Sequence, residues 1–372
     1  MRIIVSGGGT GGHIYPAVTL IRAIQEKSPK AEFLYVGTRH GLEADIIPRE
    51  GISFQTINIR GFERRFSLAN IGRAAAALAG VVKAIKIVHA FRPDAVIGTG
   101  GYVCGPTLLA ASLLGVPTLI QEQNVVPGLT NRMLARVVTR VAAGPPEAAV
   151  YFPVRKTVIT GNPIRREIML AKREDALATF GLDPRKKTVL VSGGSQGAHS
   201  INQAMIGVLS HYANHPEVQF LHATGSGEYE EILAKLQAKG IDLAAAKNLV
   251  IRPYLYNMPE ALACADLAVF RAGAIGIAEL TARGIPAVLV PYPYAAANHQ
   301  AHNARALAEA GAARMILDRD LTVGRLLAVL KELLGEEREL KCMAKRSRAL
   351  GRPQAAEEIA ALALAMTEGR KQ

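Results

Sequence analysis

The chain has 372 residues, of which 49% are hydrophobic, and carries 44 Lys and Arg against 31 Asp and Glu, a formal net charge of +13. This length suits two domains, and no apolar run approaches the roughly 18 residues that a membrane-spanning helix needs. The N-terminus has no basic segment before a cleavage site, which predicts a cytoplasmic protein without a signal peptide. Cys104, Cys264 and Cys342 form no C-x-x-C pair, which argues against a disulfide framework or zinc.

The positive charge is concentrated in the first part of the chain. Residues 1–160 hold 18 Lys and Arg against 9 Asp and Glu, whereas residues 161–372 hold 26 against 22. The run 60–92 contains one acid, Glu63, and seven basic residues: Arg60, Arg64, Arg65, Arg73, Lys83, Lys86 and Arg92. A patch of this kind attracts phosphate, either of nucleic acid or of lipid headgroups.

The first predicted strand, 3–6, runs into a glycine-rich loop. Gly7, Gly9 and Gly12 have the G-x-G-x-x-G spacing of dinucleotide-binding proteins. A helix follows, with Pro16 expected in its first turn. Because a helix N-terminus has unpaired N–H groups, the loop predicts an anion site.

A nicotinamide site needs an acidic residue after the second strand, predicted at 33–36, to bind the ribose hydroxyls. The chain has Gly37, Thr38, Arg39 and His40 there. Arg39 would suit a 2′-phosphate, so an NADP-dependent oxidoreductase remains an alternative. A tight turn without a ligand is another.

His13 follows the last glycine of this loop. We expect it at the carboxyl edge of the sheet, where such folds bind ligands. An imidazole titrates near neutral pH and can take a proton from a sugar hydroxyl, so His13 is the candidate catalytic base. The alternative is a packing role.

Further along the chain, β-branched runs alternate with longer helical patterns, which predicts a mainly parallel sheet with crossover helices. The other predicted strands are 95–98, 118–121, 188–192, 218–222, 249–253, 267–270 and 287–291.

The second half repeats the beginning of the first. Residues 191–194 of TVLVSGGSQGAHSIN align on residues 5–8 at an offset of 186, which places His199 on His13. The predicted fold class is therefore α/β, with two Rossmann-like domains facing each other across a cleft. Glycine and proline near residue 161 mark the boundary. We expect domains at 1–161 and 162–352, with a C-terminal helix in 353–372 that packs back on the first.

Seven ordered segments carry a family resemblance: GTRHGLEADIIP, GTGGYVCGP, QEQNVVPGLTNR, GNPIR, SGGSQGAHSIN, RAGAIGIAEL and NHQAHNA. Their order and spacing resemble the bacterial UDP-N-acetylglucosamine transferases that form lipid II in peptidoglycan synthesis, over essentially the whole chain. The resemblance implies a glycosyltransferase B fold without a cofactor. It also implies inverting transfer of GlcNAc from UDP-GlcNAc to the C4 hydroxyl of the N-acetylmuramyl-pentapeptide of lipid I.

The resemblance assigns most donor contacts to the second domain. Arg165 and the loop residues Ser195, Gln196 and Gly197 would contact the diphosphate, and Glu279, expected near the start of its helix, would accept from the ribose hydroxyls. The other implied donor residues are Thr10, Gly11, Gly12, Asn124, Ala274, Ile275, Asn298, His299 and Gln300. The implied acceptor-side residues are Gly12, His13, Tyr102 and Asn124.

The chain departs from the family pattern at five positions: Cys104, Gln121, Phe270, Ala272 and Gly276. None of them is a residue to which we assign a role.

The triplet Asp318-Arg319-Asp320 matches the Asp-x-Asp letters of metal-dependent transferases. It precedes a helical run at 321–334, so we interpret Asp320 as the N-cap of that helix. The resembled family needs no such motif, and we predict no metal.

The run 67–89 has Ile71, Leu78, Val81, Ile85 and Val88 at helical spacing, which also suits an ordinary core-facing helix. Because the implied acceptor is a polyprenyl lipid, we expect the basic 60–92 region to attach the protein to the cytoplasmic face of the cell membrane.

Leu113 and Leu114 would add apolar contact to this peripheral attachment. The sequence contains no nucleic-acid recognition module, so we expect no nucleic-acid partner, and cell-wall synthesis proteins are candidate partners. A UDP-GlcNAc 2-epimerase of similar two-domain fold remains the other alternative function.

Overall fold

A computed structural model describes residues 1–59 and 69–368, with the backbone alone for residues 69–76. The chain forms two compact units: Met1–Ile164 together with Pro353–Gln372, and Arg165–Arg352. We call them unit 1 and unit 2.

Within its described residues, unit 1 contains a seven-stranded parallel sheet in the order β3-β2-β1-β4-β5-β6-β7. The strands are β1 (Arg2–Gly7), β2 (Glu32–Gly37), β3 (Ser53–Thr56), β4 (Ala95–Gly100), β5 (Thr118–Glu122), β6 (Arg140–Ala143) and β7 (Thr157–Ile159). The helices are α1 (Gly11–Lys27), α2 (Glu43–Arg49), α3 (Ala69–Phe91), α4 (Cys104–Leu113), α5 (Leu129–Leu134) and, from the end of the chain, α15 (Ala355–Glu368).

The central strands of unit 1 are buried on both sides because helices cover both faces of the sheet, as parallel sheets require. One apolar cluster contains Ile3 and Val5 of β1 with Ile14 and Leu20 of α1, and α15 adds Ile359 to it. The helix after residue 352 therefore packs on α1. On the other face, Ile87 and Val88 of α3 pack with Leu108 of α4.

Within unit 2, the described residues form a six-stranded parallel sheet in the order β10-β9-β8-β11-β12-β13. The strands are β8 (Lys187–Ser192), β9 (Val218–Ala223), β10 (Leu249–Arg252), β11 (Leu267–Phe270), β12 (Ala287–Leu289) and β13 (Ala313–Met315). The helices are α6 (Glu167–Leu170), α7 (Arg173–Phe180), α8 (His199–Tyr212), α9 (Tyr229–Ala238), α10 (Met258–Cys264), α11 (Ala274–Arg283), α12 (His299–Glu309), α13 (Val323–Gly335) and α14 (Glu337–Leu350).

The predicted strands and the α/β class are confirmed, since each predicted run overlaps a strand of one of the two sheets. In both sheets the strand that precedes a glycine loop, β1 or β8, lies inside the sheet, and the strand order reverses there. In open α/β sheets this reversal point is where ligands bind, at the carboxyl ends of the strands. The duplicated template therefore places both glycine loops at such an edge.

Three local predictions are wrong. Helix α1 begins at Gly11, so Pro16 lies beyond its first turn. Helix α13 begins at Val323, and its N-cap is Thr322, whose hydroxyl accepts from the N–H of Arg325; Asp320 belongs to a short 3-10 turn before it. In α3, Leu78 is exposed to 68% of its surface and does not belong to the core-facing stripe.

Candidate active site

A pocket of about 650 Å³ lies in unit 2 at the carboxyl ends of β8 and β11. Its wall includes the glycine loop 193–197, the first residues of α8, and the turn that leads into α11. The predicted donor residues Ser195, Gln196, Gly197, Glu279 and Gln300 line this pocket. The loop leads directly into the N-terminus of α8. The N–H groups at that terminus and the dipole of the helix favour an anion in the pocket.

The loop has a shape that requires glycine at residue 197. Gly197 has φ +79°, and a Cβ on it would lie 2.0 Å from the carbonyl oxygen of Thr224. Its N–H donates to the carbonyl of Gly194 at 3.0 Å, which closes the loop tightly. The backbone of Thr224, the residue after β9, therefore packs against Gly197 and restricts the position of the loop.

Glu279 is a buried carboxyl at the pocket wall. It is the sixth residue of α11, so the prediction that it lies near the start of that helix is wrong. The guanidinium of Arg165 lies 3.6 Å from its Oε1. Burial raises the pKa of the Glu279 carboxyl to about 7, although Arg165 lowers it. Arg165 and Glu279, which are far apart in sequence, are therefore brought together.

The three residues predicted to contact the sugar, Asn298, His299 and Gln300, differ in their environments. Gln300 lines the pocket, and its Oε1 accepts from the N–H of Tyr292 at 2.9 Å. Asn298 is exposed with φ +54°, and His299 begins α12 with its Nδ1 2.6 Å from the carbonyl of Ala296. Ala274 and Ile275 are the first two residues of α11.

Sequence reasoning missed a polar cluster in the same pocket. Arg271 forms an ion pair with Asp318, and its other terminal nitrogen donates to the hydroxyl of Ser200 at 2.9 Å. The Ser200 hydroxyl also donates to Asp318 at 2.6 Å. Both charged residues lie in segments singled out by sequence, but Asp318 was considered only as part of a metal motif.

His199, the counterpart of His13, lies at the start of α8 and lines the pocket. Its Nδ1 is 3.3 Å from Oε1 of Glu228, whose other oxygen accepts from Nδ2 of Asn202 at 3.1 Å. Asn202 Oδ1 in turn lies 3.0 Å from Nε2 of the buried His222. Burial lowers the pKa of His222 to about 3, so that ring is neutral and Nε2–H donates to Asn202.

In unit 1, His13 lies in the first turn of α1. Its Nδ1 is 2.9 Å from the carbonyl oxygen of Gly8. A carbonyl oxygen only accepts, so Nδ1 carries the proton and the neutral ring has its lone pair on Nε2. The hydroxyl of Thr99 donates to the carbonyl of His13 at 2.7 Å, which holds the residue at the end of β4.

The anion site predicted at the first glycine loop is partly occupied by the protein itself. The N–H of Gly9 donates to Oε2 of Glu43 at 3.1 Å. A buried carboxylate therefore already uses a donor that the sequence suggested for a ligand. Thr10, the N-cap of α1, precedes Gly11 and Gly12 in the first turn, and its hydroxyl makes no capping hydrogen bond.

The two other predicted acceptor-side residues also lie in unit 1. Tyr102 is partly exposed beside Gly9. Asn124 is fixed by Glu122, whose Oε1 accepts from its backbone N–H at 3.0 Å and from its side-chain amide at 3.2 Å. The other Glu122 oxygen accepts from the amide of Asn131 at 2.8 Å. Glu122 is buried and holds both asparagine side chains in place, and the sequence analysis did not single it out.

No group of three or more His, Cys, Asp or Glu side chains in the described residues is placed to hold a metal ion. In the same part of the chain, no helix is long and apolar enough to cross a membrane. Of the basic run 60–92, Arg60, Arg64 and Arg65 lie outside the described residues, as does the side chain of Arg73. Lys83 and Lys86 of α3 are exposed.

Comparison with known proteins gives two family matches. Residues 3–143 match the glycosyltransferase family 28 N-terminal domain, and residues 188–359 match the family 28 C-terminal domain. The chain belongs to glycosyltransferase family 28.

One relative of this family 28 chain is a Moorella thermoacetica protein named UDP-N-acetylglucosamine--N-acetylmuramyl-(pentapeptide) pyrophosphoryl-undecaprenol N-acetylglucosamine transferase. It is 49% identical over 369 residues, which cover 99% of this chain and 100% of the relative. The crystal structure of Acinetobacter baumannii MurG matches with a TM-score of 0.78 at 28% identity, covering 98% of this chain and 99% of that one.

A UDP-GlcNAc 2-epimerase from Neisseria meningitidis, solved with UDP-GlcNAc bound, also matches. Its TM-score is 0.68 at 14% identity, with 98% of this chain and 100% of that chain covered. At this identity the match reflects a shared fold alone. The family 28 domains therefore favour a glycosyltransferase over the epimerase and over an oxidoreductase.

Proposed function

We propose that this family 28 glycosyltransferase moves GlcNAc from UDP-GlcNAc to the C4 hydroxyl of the N-acetylmuramyl-pentapeptide of lipid I, with inversion, to form lipid II. The observation that carries the proposal is the pocket of unit 2, which is lined by a glycine loop at a helix N-terminus and by Glu279, the ion-pair partner of Arg165. The name and the near-complete coverage of the Moorella relative support the acceptor assignment.

The donor residues follow from the chemistry of the pocket. The N–H groups of the loop and the hydroxyl of Ser195 would bind the diphosphate, with Gln196 and Gly197 completing the loop. The charge of Arg165 and the N–H groups of Ala274 and Ile275, at the start of α11, would add to this. Negative charge grows on the diphosphate as the bond to the sugar breaks, so these donors stabilise the transition state.

The remaining donor contacts belong to the nucleoside and the sugar. The carboxylate of Glu279 would accept from both ribose hydroxyls. Asn298, His299 and Gln300 would read the GlcNAc hydroxyls, because an amide both donates and accepts. A site that pairs a hydroxyl rejects an analogue without it, which gives sugar selectivity. Thr10, Gly11, Gly12 and Asn124 of unit 1 are proposed as further donor contacts.

His13 is proposed as the catalytic base. The acceptor C4 hydroxyl gives its proton to Nε2 of His13 while its oxygen forms a bond to C1 of GlcNAc. The bond from C1 to the diphosphate oxygen breaks at the same time, and UDP leaves with the electron pair. Attack from the side opposite the leaving group inverts C1. Gly12, Tyr102 and Asn124 would line the acceptor side.

We also propose peripheral attachment to the cytoplasmic face of the cell membrane through α3 and the end of α4. Leu78 and Val82 of α3, Leu113 of α4 and Leu114 directly after α4 expose large apolar side chains, and the exposed Lys83 and Lys86 lie on α3. Anionic headgroups attract such lysines by about 1 kcal/mol each near the surface. Proteins of cell-wall synthesis are proposed partners, and nucleic acid is not.

Product analysis tests the proposed reaction. The protein is incubated with UDP-GlcNAc and a lipid I analogue, and the lipid is examined by mass spectrometry and NMR. We expect one added GlcNAc in a β linkage on the muramyl C4 oxygen. Conversion of UDP-GlcNAc into its 2-epimer with the lipid unchanged would instead identify an epimerase.

A further inference from the structure

Glu43 is a buried carboxylate beside the loops that follow β1 and β2 in unit 1, and no role has yet been assigned to it. It is the first residue of α2 and is completely buried. Its Oε1 accepts from the backbone N–H of Thr38 at 3.0 Å and from the Thr38 hydroxyl at 2.7 Å, and its Oε2 accepts from the N–H of Gly9 at 3.1 Å. Each carboxylate oxygen is therefore hydrogen-bonded, as a buried charge requires.

The surrounding backbone leaves room for this carboxylate and nothing larger. A Cβ on Gly8 would lie 2.6 Å from Oε1 of Glu43, and a Cβ on Gly41 would lie 2.2 Å from Oε2. On Gly37, a Cβ would lie 2.7 Å from the Glu43 side chain. Gly8, Gly41 and Gly37, the last residue of β2, thus pack against the Glu43 side chain, which fixes its position.

Glu43 and His13 hold opposite ends of a single peptide group. The peptide that joins Gly8 to Gly9 donates its N–H to Oε2 of Glu43 at 3.1 Å and accepts, at its carbonyl oxygen, from Nδ1–H of His13 at 2.9 Å. We call this arrangement of the Glu43 carboxylate, the Gly8–Gly9 peptide and the His13 imidazole the clamp. Hydrogen bonds in such a chain strengthen one another, because each polarises the next.

We propose that Glu43 is a positioning residue that acts through the Gly8–Gly9 peptide to orient His13 and to stabilise its protonated form. The inference rests on the proposed function, in which His13 takes the acceptor proton. The role resembles that of a carboxylate that hydrogen-bonds directly to a catalytic histidine, which fixes the tautomer and stabilises the imidazolium. Here a peptide group is inserted between the two side chains.

Among the described residues, Tyr35, Cys104 and Tyr102 are further ionisable groups near the Gly8–Gly9 peptide. The Tyr35 hydroxyl donates to the carbonyl of Gly7 at 2.8 Å, and the Cys104 thiol donates to the carbonyls of Ser6 and Gly100. Burial raises the pKa of Cys104 to about 12 and that of Tyr35 well above its ordinary value, and the charge of Glu43 contributes to both. Both groups are therefore neutral at physiological pH, and Glu43 supplies the negative charge.

The second unit shows what the same template does without the inserted peptide. His199, the counterpart of His13, has its Nδ1 3.3 Å from Glu228 itself. Both histidines thus have a carboxylate on the Nδ1 side, one directly and one through a peptide.

The test compares Glu43→Gln with Asp45→Asn, which removes a charge from an exposed position of the same helix. A glutamine amide cannot accept from both Thr38 and Gly9, so the clamp on the peptide is lost. We expect Glu43→Gln to lower kcat by about tenfold to a hundredfold, part of what a general base supplies, with the KM for UDP-GlcNAc unchanged. Asp45→Asn should behave as the wild type does.

The pH profile separates a charge effect from damage to the fold. Loss of a nearby anion makes the protonated base less stable, so the acid limb of kcat/KM should move to lower pH in Glu43→Gln. If that variant does not fold, as judged by melting and UDP binding, Thr38→Val keeps the charge but removes one of the three hydrogen bonds that orient the carboxylate, so it should lower kcat to a smaller degree and leave the acid limb in place. An unmoved acid limb with wild-type kcat in the variant that folds would overturn the proposal.

His13→Ala distinguishes failure of this inference from failure of the proposed function. If His13→Ala keeps wild-type turnover, His13 is not the base and the proposed mechanism fails first. If His13→Ala is inactive while Glu43→Gln is normal, only the role of Glu43 is wrong. If the clamp acts through His13, the double variant should be no slower than His13→Ala alone.

Discussion

At the scale of single residues, the buried carboxyl groups of Glu43, Glu122 and Glu279 each have hydrogen-bond or ion-pair partners. Glu279 illustrates the balance: Arg165 approaches it at 3.6 Å, but burial still raises its pKa to about 7. At neutral pH the carboxyl is thus close to its titration point in this structure. Two ribose hydroxyls would supply the hydrogen bonds that a buried carboxylate needs.

The pKa of Glu279 leads to a prediction about stability. Because the folded protein keeps this proton up to about pH 7 while an ordinary glutamate loses it near 4.5, the folded state binds more protons in that window. The free energy of unfolding of the UDP-free protein should therefore fall as the pH rises from about 4.5 to about 7. Urea unfolding at a series of pH values measures this.

Glu279→Gln should remove that contribution to the slope, and Glu309→Gln, at an exposed position of α12, should not change it. The same slope in wild type and Glu279→Gln would mean that Glu279 titrates normally.

Whether the position of a site residue could be predicted depended on whether the residues it contacts are close to it in sequence. Ser195, Gln196 and Gly197 could be placed at the pocket because the glycine spacing and the strand before it are local signals, whereas Gln300 was placed there by the family resemblance. The Arg271–Asp318 pair and the Glu43 carboxylate depend on contacts between separate segments. Sequence spacing alone does not reveal such contacts. Asp318 was therefore considered only as part of a metal-binding motif, and Glu43 was given no role.

At the scale of elements, every strand of five or six residues in the described part of the chain was predicted, whereas the shorter strands were predicted unevenly. Of the strands with three or four residues, β10, β11 and β12 lie in apolar runs that were predicted, and β3, β6, β7 and β13 were not predicted. Their pairing with neighbouring strands, rather than their own composition, makes them strands. Helix starts were similarly uncertain: α1 includes Gly11 and Gly12, and α11 includes Gly276, although glycine usually ends a helical pattern.

The loop between β8 and α8 provides a test at this scale. Gly197→Ala should destabilise unit 2 by about 3 kcal/mol, since it adds a left-handed backbone cost to a clash with the Thr224 carbonyl. Gly194→Ala is the matched control, because its φ is +93° but a Cβ would meet nothing within 4 Å. It should cost only about 1 kcal/mol. Calorimetry measures both losses of stability in the unfolding transition of unit 2, which is the transition whose temperature rises when UDP is added. Equal losses in Gly197→Ala and Gly194→Ala would contradict the steric explanation.

At the scale of the whole molecule, one β-loop-helix template appears in both units, and the two copies are used differently. The second loop lines the unit 2 pocket of about 650 Å³. The first loop gives an N–H to Glu43 and a carbonyl to His13. The internal repeat was visible in the sequence. The different contacts of the two loops were not, because those of the first loop depend on Glu43, which belongs to another segment of the chain.

The proposed membrane attachment is also a property of the whole molecule. Reversing the exposed charges with Lys83→Glu and Lys86→Glu should weaken binding to vesicles that contain anionic lipid by roughly tenfold or more, since each charge contributes about 1 kcal/mol near the surface. Sedimentation with vesicles measures the bound fraction. Arg319→Glu, at an exposed position of unit 2, is the control. Equal binding by all three proteins would exclude α3 from the membrane contact.

The most direct test of the central claim is the release of UDP from UDP-GlcNAc with and without a lipid I analogue. Transfer to an acceptor requires that UDP release depend on the lipid, with one UDP formed for each lipid glycosylated. We predict negligible release without the acceptor and stoichiometric release with it. UDP release at the same rate in the absence of lipid I would contradict the proposed function.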